Sequence, residues 1–203
     1  VFKTIDGGAA WSVTGNGILM GRVYDLVIDP SNSSILYAGT MNKGIYKTTD
    51  GAATWTQLTN GNALSTTTII QMAIDKTTGQ TIYAGTYLQG IYKSTDRGAS
   101  WTQVNNGLTK IDVYALAIDP ANVQTIYAGT YAGGVFKSIN GGQSWSPVGD
   151  GLTNAYVETL ALDPENAQTI YLGMQFNLLF KTTNAGTSWT AIGGSFKTQT
   201  TPT

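Results

Sequence analysis

A string of nine residues ending in tryptophan recurs five times along the chain and restricts what the chain can fold into. The copies read KTIDGGAAW, KTTDGAATW, KSTDRGASW, KSINGGQSW and KTTNAGTSW, and their tryptophans stand at positions 11, 55, 101, 145 and 189. The intervals between these tryptophans are 44, 46, 44 and 44 residues. A fixed period of this length indicates a repeat protein, in which each period folds into one supersecondary unit.

Two further strings precede the last four tryptophan strings and indicate what each repeat contains. One reads ILYAGT, TIYAGT, TIYAGT and TIYLGM, and the other reads YDLVIDP, IQMAIDK, YALAIDP and ETLALDP. Both are rich in β-branched and aromatic residues, turn-forming residues separate them, and no repeat contains a helical pattern. Each repeat therefore predicts four short strands. Four strands in a unit of about 40–50 residues are typical of a blade of an all-β fold, the β-propeller.

The first strand of each repeat is apolar on both faces, as VYALAID shows, which predicts an innermost strand buried between neighbouring blades. One position in this strand carries a small side chain in most repeats, which suits crowding near the propeller axis. The residues at this position are Val27, Ala73, Ala117 and Ala161.

The strings predict about four and a half blades. We expect a half blade over residues 1–15, complete blades over 22–60, 67–106, 112–150 and 156–194, and a Thr-rich tail or linker over 195–203. The half blade has the last two strands of a repeat and not the first two. An unclosed array leaves apolar blade faces bare. We therefore expect either a segment of a larger polypeptide or self-association that covers the open blade ends.

The turn between the third and fourth strands has a clear hydrogen-bonding logic. In the copy at Asp50, the carboxylate can accept backbone N–H groups, and Gly51 supplies a positive φ. Asn replaces Asp in two copies, which indicates that the position requires hydrogen bonding and not charge. We expect the tryptophan that follows to pack in the core and not to bind sugars. The structural residues predicted for the five turns are Asp6, Trp11, Asp50, Trp55, Asp96, Trp101, Asn140, Trp145, Asn184 and Trp189.

The five turn strings resemble the Asp-box, or bacterial neuraminidase repeat, pattern S/T-x-D-x-G-x-T/S-W. With the YAGT and ALAIDP strings, they make all but about the last ten residues similar to repeats of the sialidase-like propeller superfamily. That superfamily includes sialidases, xyloglucan-cleaving glycosidases, sorting-receptor ectodomains and photosystem II assembly factors. The resemblance implies Asp boxes that are structural turns away from any active site. It leaves the function open, because one fold serves many functions.

Composition excludes several classes of function. The chain has no Cys and no His, which excludes disulfides, thiol nucleophiles, imidazole bases and nearly all zinc chemistry, so we expect no metal and no cofactor. Its 11 basic residues are spread out and its net charge is −1, which predicts no nucleic-acid partner. No run is apolar enough to span a membrane. A charged fraction of only 11%, with many Thr, Asn, Gly and Tyr, favours an extracellular or cell-surface location, or a periplasmic one.

Two kinds of glycosidase require side chains that can be sought in this sequence. Sialidases bind the substrate carboxylate with three arginines, and this chain has only Arg22 and Arg97, which excludes a complete sialidase site. Another glycoside hydrolase would need two carboxylates flanking the sugar. Asp25, Asp112 and Glu158 lie outside the repeated turns, near the starts of first strands, and we interpret them as loop carboxylates. The alternative is a fragment of a secreted, xyloglucanase-like hydrolase with catalytic residues partly outside this chain.

Binding is the function that the sequence favours. Loops between second and third strands diverge from the repeat and carry apolar and aromatic residues. In a propeller they emerge on the same face as the loops entering first strands. We predict a non-catalytic scaffold or assembly subunit whose face binds a protein or a glycan; packing of these side chains on neighbouring loops is the competing interpretation. The candidate contact residues are Met41, Tyr87, Leu88, Tyr131, Phe176, Arg22 and Tyr156, with Leu19, Met20, Lys110 and Leu178 beside them.

Overall fold

Four four-stranded antiparallel sheets and one two-stranded sheet make up the computed structural model. It describes residues 1–18, 21–58, 63–149, 152, 155–176 and 178–192, so Leu19, Met20 and the predicted tail lie outside the described residues. Within these ranges the helical structure is one 3₁₀ turn, Ala63–Thr66, and no helix is long and apolar enough to cross a membrane. The prediction of an all-β propeller segment with about four and a half four-stranded blades is confirmed.

The strands of each sheet follow one another along the chain, and they are numbered here in chain order. The half blade contains β1 (Phe2–Lys3) and β2 (Ser12–Val13). Blade 1 contains β3 (Val23–Ile28), β4 (Leu36–Thr40), β5 (Ile45–Thr48) and β6 (Thr56–Gln57). Blade 2 contains β7 (Ile69–Ile74), β8 (Ile82–Thr86), β9 (Ile91–Ser94) and β10 (Thr102–Gln103). Blade 3 contains β11 (Val113–Ile118), β12 (Ile126–Thr130), β13 (Gly134–Ser138) and β14 (Ser146–Val148). Blade 4 contains β15 (Val157–Leu162), β16 (Ile170–Met174), β17 (Leu178–Thr182) and β18 (Thr190–Ala191).

The first strands of the complete blades lie side by side, β3 next to β7, β7 next to β11 and β11 next to β15. Each has an irregularity in register after its first residue, as between Val23 and Asp25, which indicates a β-bulge. These strands border a cavity of about 430 Å³. The small position of the repeat faces this cavity, as expected near an axis, and its residues there are Val27, Ala73, Ala117 and Ala161.

Hydrogen bonds close the Asp-box turn around one carboxylate. The Thr48 hydroxyl donates to Asp50 Oδ1 over 2.7 Å and accepts the Ala52 N–H at 3.2 Å. Asp50 Oδ1 accepts the Thr54 N–H at 2.9 Å, and Oδ2 accepts the Thr54 hydroxyl at 2.5 Å. These bonds, led by the one from the Thr54 hydroxyl, lower the pKa of Asp50 to about 2. The turn therefore holds the ionised carboxyl.

The two asparagine copies keep the same turn and reverse one bond. The Ser144 N–H donates to Asn140 Oδ1 over 3.0 Å, as the Thr54 N–H donates to Asp50. Asn140 Nδ2 then donates to the Ser144 hydroxyl over 2.8 Å, whereas Asp50 accepts from the Thr54 hydroxyl. Asn184 makes the same pair of bonds with Ser188. A hydroxyl can serve as donor or acceptor, so the turn accommodates either residue.

We expect Asp96→Asn to leave the free energy of unfolding near neutral pH almost unchanged, because Asn satisfies the equivalent turns. Asp96→Ala should cost about 1 kcal/mol, since it removes the acceptor of the Ser100 N–H. The Ser100 hydroxyl bond is the main cause that lowers the pKa of Asp96 to about 2. A lowered pKa adds stability above the unfolded value near pH 4, and this contribution is lost as the pH falls to about 2. Urea titrations at several pH values should show a weaker acid dependence for Asp96→Asn; equal losses for both variants at pH 7 would contradict the argument.

The repeated tryptophans pack against the preceding blade. Trp101 of blade 2 lies in one buried cluster with Tyr37 and Ile45 of blade 1. Trp145 packs in the same way on Tyr83 of blade 2, and its Nε1 donates to the Val104 carbonyl over 2.8 Å. Trp55, Trp101 and Trp145 are buried, and Trp189 is partly buried. One tryptophan thus covers much of the outer part of each blade interface.

Trp11 is the exception, and for it the expectation of a core position is wrong. Its side chain is 61% exposed. The reason is the direction of packing: a tryptophan of this repeat is buried by the blade before it. No strand of the described residues pairs or packs on that side of the half blade.

A tyrosine and a lysine complete each interface from the other side. Tyr37 of β4 is fully buried, and its hydroxyl donates to the Arg97 carbonyl of the next Asp box over 2.8 Å. Lys47 Nζ lies 5.2 Å from the centre of the Tyr37 ring and donates to the same carbonyl over 3.0 Å. Burial raises the pKa of Tyr37 to about 12, so the hydroxyl remains a donor at physiological pH.

We expect Trp101→Ala to lower the free energy of unfolding by about 3–5 kcal/mol, because it empties the interface between blades 1 and 2. Trp11→Ala removes the same side chain from an exposed site and should change stability by no more than about 0.5 kcal/mol. Chemical denaturation of the two variants measures the difference. Similar losses for both would contradict this account of the interface.

Candidate functional site

Two sets of loops meet on one face of the blades through a repeated main-chain hydrogen bond. The residue after each second strand donates its N–H to a carbonyl just before the first strand of the same blade. Met41 donates to Arg22 over 2.9 Å, and Tyr131 donates to Asp112 over 2.9 Å. Tyr87 donates to Thr68 over 3.1 Å, and Gln175 donates to Tyr156 over 3.0 Å. The predicted contact residues of both loop sets are therefore neighbours.

The next residue in each of these loops has a left-handed backbone, although none is glycine. The φ angles are 56° at Asn42, 66° at Leu88, 58° at Ala132 and 66° at Phe176. Two of these loops are also tied to the following blade. The Leu88 N–H donates to Asp112 Oδ1 over 2.7 Å, and the Asn42 N–H donates to the Thr68 hydroxyl over 3.0 Å. Backbone N–H groups thus fix each loop. The side chains of Leu88 and Phe176 remain exposed, whereas Asn42 Oδ1 accepts the Thr68 hydroxyl at 2.7 Å.

Three tyrosines contact one another at the centre of this face. The Tyr131 ring centre lies 4.4 Å from that of Tyr156, edge to face, and 5.9 Å from that of Tyr114. Burial is the main cause that raises the pKa of Tyr114, and the neighbouring Asp112, Tyr87, Tyr131 and Tyr24 add to it. All five tyrosines therefore border one region. We call it the tyrosine face, and its residues are Tyr24, Tyr87, Tyr114, Tyr131 and Tyr156.

The structure places most of the predicted contact residues at solvent. Phe176 is 79% exposed, Tyr87 and Tyr131 are about half exposed, and Tyr156 is partly buried against Tyr131. Arg22 is exposed, with its guanidinium carbon 5.9 Å from the centre of the Tyr24 ring. The other predicted residues at exposed positions are Met41, Leu88, Lys110 and Leu178. Their role in binding stays a prediction.

Sequence reasoning missed Tyr24 and Tyr114. Both are second residues of first strands, which we expected to be buried on both faces. Tyr24 is 42% exposed and Tyr114 is partly exposed. The equivalent residues in the other blades are Ile70 and Glu158, and this mixture of residue types was the signal available in the sequence.

The carboxylates outside the repeat differ in their surroundings. Asp25 is half-buried, and its Oδ2 accepts the Met72 N–H of the next blade at 2.6 Å. Burial raises the pKa of Asp25, although the backbone bonds from Met72 and Leu26 oppose the rise. Asp112 accepts the Leu88 N–H, and Glu158 is exposed. Across the described ranges, no three acidic residues cluster as metal ligands.

We compared the chain with known proteins. No protein-family model and no curated protein sequence matches it. Among solved structures, it is similar to an ancestral GH74 enzyme, with 29% identity and a TM-score of 0.72 over 90% of this chain and 25% of the other. A GH74 xyloglucanase from Xanthomonas campestris gives 20% identity and a TM-score of 0.66 over 90% and 31%. YCF48 bound to a D1 peptide gives 11% identity and a TM-score of 0.57 over 87% and 83%.

These similarities support the propeller fold, and the last two show the fold alone. The chain spans between a quarter and a third of the length of the two GH74 proteins. Propellers with and without enzyme names are both among the similar structures. Membership of the sialidase-like superfamily therefore stays a prediction, as does any activity taken from these proteins.

We expect Asp112→Ala to raise the hydrogen-exchange rate of the Leu88 amide about tenfold, because that amide loses its acceptor. The control is Glu158→Ala, which removes an exposed carboxylate of the same charge from blade 4. Exchange followed by NMR should show no change at Leu88 in the control. Unchanged exchange in Asp112→Ala would mean that the loop is held by other contacts.

Proposed function

We propose that this chain is a non-catalytic propeller segment that binds a neutral polysaccharide across its tyrosine face, in an extracellular or cell-surface setting. The observation that carries the proposal is the contact of Tyr131 with Tyr114 and Tyr156 at the centre of an exposed face. These three side chains come from two blades, and Tyr24 and Tyr87 extend the face to the other two. Rings contributed by all four blades are suited to an extended ligand more than to a compact one.

The chemistry of the tyrosine face favours sugars. Aromatic rings offer large, stiff apolar surfaces, which suit the apolar faces of sugar rings, and phenolic hydroxyls add hydrogen bonds at the edge. The nearby charges are few and of both signs, with Arg22 and Lys110 against Asp112 and Glu158. This balance favours a neutral ligand over a polyanion. The 29% identity to a GH74 enzyme adds support for a glycan, and the low overall charge supports the extracellular setting.

A second candidate is a piece of a glycoside hydrolase, and the GH74 similarity favours it. Burial raises the pKa of Asp25, which is the direction that suits a general acid. However, Asp25 and Asp112 each hold a backbone N–H of a neighbouring blade, which is a structural task. A hydrolase that contained this segment would therefore draw catalytic groups partly from outside the chain. A peptide ligand, as in the structure of YCF48 with a D1 peptide, is the third outcome to test.

Binding is tested with soluble xyloglucan, with polygalacturonate as the charged control. We expect the chain to be retarded by xyloglucan in affinity electrophoresis. Tyr131→Ala should weaken binding about tenfold, which corresponds to about 1.4 kcal/mol. The matched variant is Phe2→Ala, an exposed aromatic residue of the half blade, which should bind as the parent does. Equal retardation of all three proteins, or none, would contradict a glycan site at the tyrosine face.

The hydrolase candidate has a separate readout. Release of reducing ends from xyloglucan, abolished in Asp25→Asn, would replace the non-catalytic proposal with the second candidate. Binding without release supports a glycan site at the tyrosine face, and it also fits a segment whose catalytic groups lie outside the chain. Binding of a peptide library and not of xyloglucan would favour the protein partner.

A further inference from the structure

No described residue covers the trailing face of blade 4, the side that points away from blade 3. Tyr171 is 36% exposed there, whereas the equivalent Tyr37, Tyr83 and Tyr127 are 0–1% exposed. Leu179 is partly exposed, although its equivalents in the other blades are buried. Lys181 Nζ lies 5.4 Å from the centre of the Tyr171 ring, as Lys47 does over Tyr37. Blade 4 thus exposes to solvent the residues that in the other blades form one side of a blade interface.

The rest of the chain shows what covers such a face. The residue after the Asp or Asn of the following turn always offers its carbonyl. Arg97 accepts from Tyr37 and Lys47, and Ala185 accepts from Tyr127 at 3.2 Å. Lys93 donates to Gly141 over 2.7 Å, and Lys3 of the half blade donates to Gly51 over 2.9 Å. At each of the four junctions this carbonyl accepts from the lysine, the tyrosine or both, although the buried Tyr83 hydroxyl has no partner among the described residues. The occupant of each trailing face within the chain is therefore an Asp-box hairpin.

In the part of the chain that the structure describes, one such hairpin has an exposed outer side. We call residues 2–13 the leading hairpin. Its turn is fully formed, with the Thr4 hydroxyl donating to Asp6 Oδ1 over 2.6 Å and the Ala10 N–H donating to the same atom over 3.0 Å. Phe2 is 64% exposed and Trp11 is 61% exposed. Tyr46 and Trp55 occupy the equivalent positions in blade 1 and are buried.

Gly8 in the leading hairpin is a second indication that this hairpin can pack against the tyrosine of another blade. The residue at this position meets the tyrosine of the preceding blade where one is present. A Cβ on Gly98 would lie 3.1 Å from Tyr37, and one on Gly142 would lie 3.3 Å from Tyr83. Blade 1 follows the half blade, whose two strands provide no such tyrosine, and it has Ala52 there at φ 77°. The leading hairpin has Gly8 at this position, like the turns that contact a tyrosine of the preceding blade.

We propose that the chain self-associates head to tail, with the leading hairpin of one copy on the trailing face of blade 4 of another. The Gly7 carbonyl of the second copy accepts hydrogen bonds from the Tyr171 hydroxyl and from Lys181. Trp11 and Phe2 of the second copy cover Tyr171 and Leu179. The hairpin contributes β1 and β2 only, so the contact covers the outer part of the face and is weaker than an internal junction. The surfaces in contact differ, so the association is heterologous and can propagate.

Sedimentation velocity over a wide range of concentration provides the first test. The weight-average mass should rise above the 21.5 kDa of one chain as concentration increases. Trp11→Ala removes the hairpin anchor and Tyr171→Ala removes the acceptor face, and each alone should associate at least tenfold more weakly. Lys181→Ala serves as a second trailing-face variant if Tyr171→Ala melts at a lower temperature. Ile139→Ala, which removes an exposed apolar side chain of blade 3 away from both ends, is the control and should associate as the parent does.

Mixing the two variants separates this arrangement from any other. Trp11→Ala keeps an intact trailing face, and Tyr171→Ala keeps an intact leading hairpin. An equimolar mixture should therefore form a complex of one copy each and stop there. A parent that stays monomeric at every concentration overturns the proposal, and so does a mixture that fails to restore association. The readout is independent of glycan binding, because neither variant alters the tyrosine face.

Discussion

The contact between a buried tyrosine and the next Asp-box turn is the interaction on which this array depends. A blade is apolar on both sides, so it gains stability from each neighbour that covers one of them. The tyrosine reaches across the gap and needs an acceptor for its hydroxyl. The turn provides that acceptor to Tyr37 and Tyr127 as the carbonyls of Arg97 and Ala185, two residues in the left-handed region. The Tyr83 hydroxyl has no partner among the described residues, and at its junction Lys93 donates to the turn carbonyl instead. The hydrogen bonds that form the turn therefore also position the carbonyl through which neighbouring blades contact each other.

The tyrosine face depends on the same stacking. The contact of Tyr131 with Tyr156 joins blade 3 to blade 4, and the bond from Leu88 to Asp112 joins blade 2 to blade 3. Asp25 similarly joins blade 1 to blade 2 through the Met72 N–H. A ligand on this face would therefore contact side chains whose spacing is set at the blade junctions. Shape at the face and stability at the junctions are linked through the angle between successive blades.

The fold could be predicted because its signals are local and repeated. Strand order, turn chemistry and the place of the Asp boxes all follow from strings of fewer than ten residues. Burial could not be predicted in the same way, because it depends on the neighbouring blade: Trp11 has the string of a core residue and no blade to bury it. The same holds for Tyr24 and Tyr114, whose strand pattern predicted burial on both faces. Asp25 was interpreted as a loop carboxylate, and its bond to blade 2 becomes visible only in three dimensions.

The left-handed residues at Asn42, Leu88, Ala132 and Phe176 have a consequence for how such a surface can change over time. Each loop is held through its own backbone N–H groups, with the side chains of Asp112 and Thr68 as acceptors for two of them. The side chains that the loops themselves display can therefore be exchanged with less effect on folding than core side chains. The four equivalent left-handed positions in this chain already carry four different amino acids, Asn42, Leu88, Ala132 and Phe176. The residues that would contact a ligand are thereby different from the residues that form the blades. A gene that duplicates such a blade gains a new display position whose specificity can drift while the scaffold is kept.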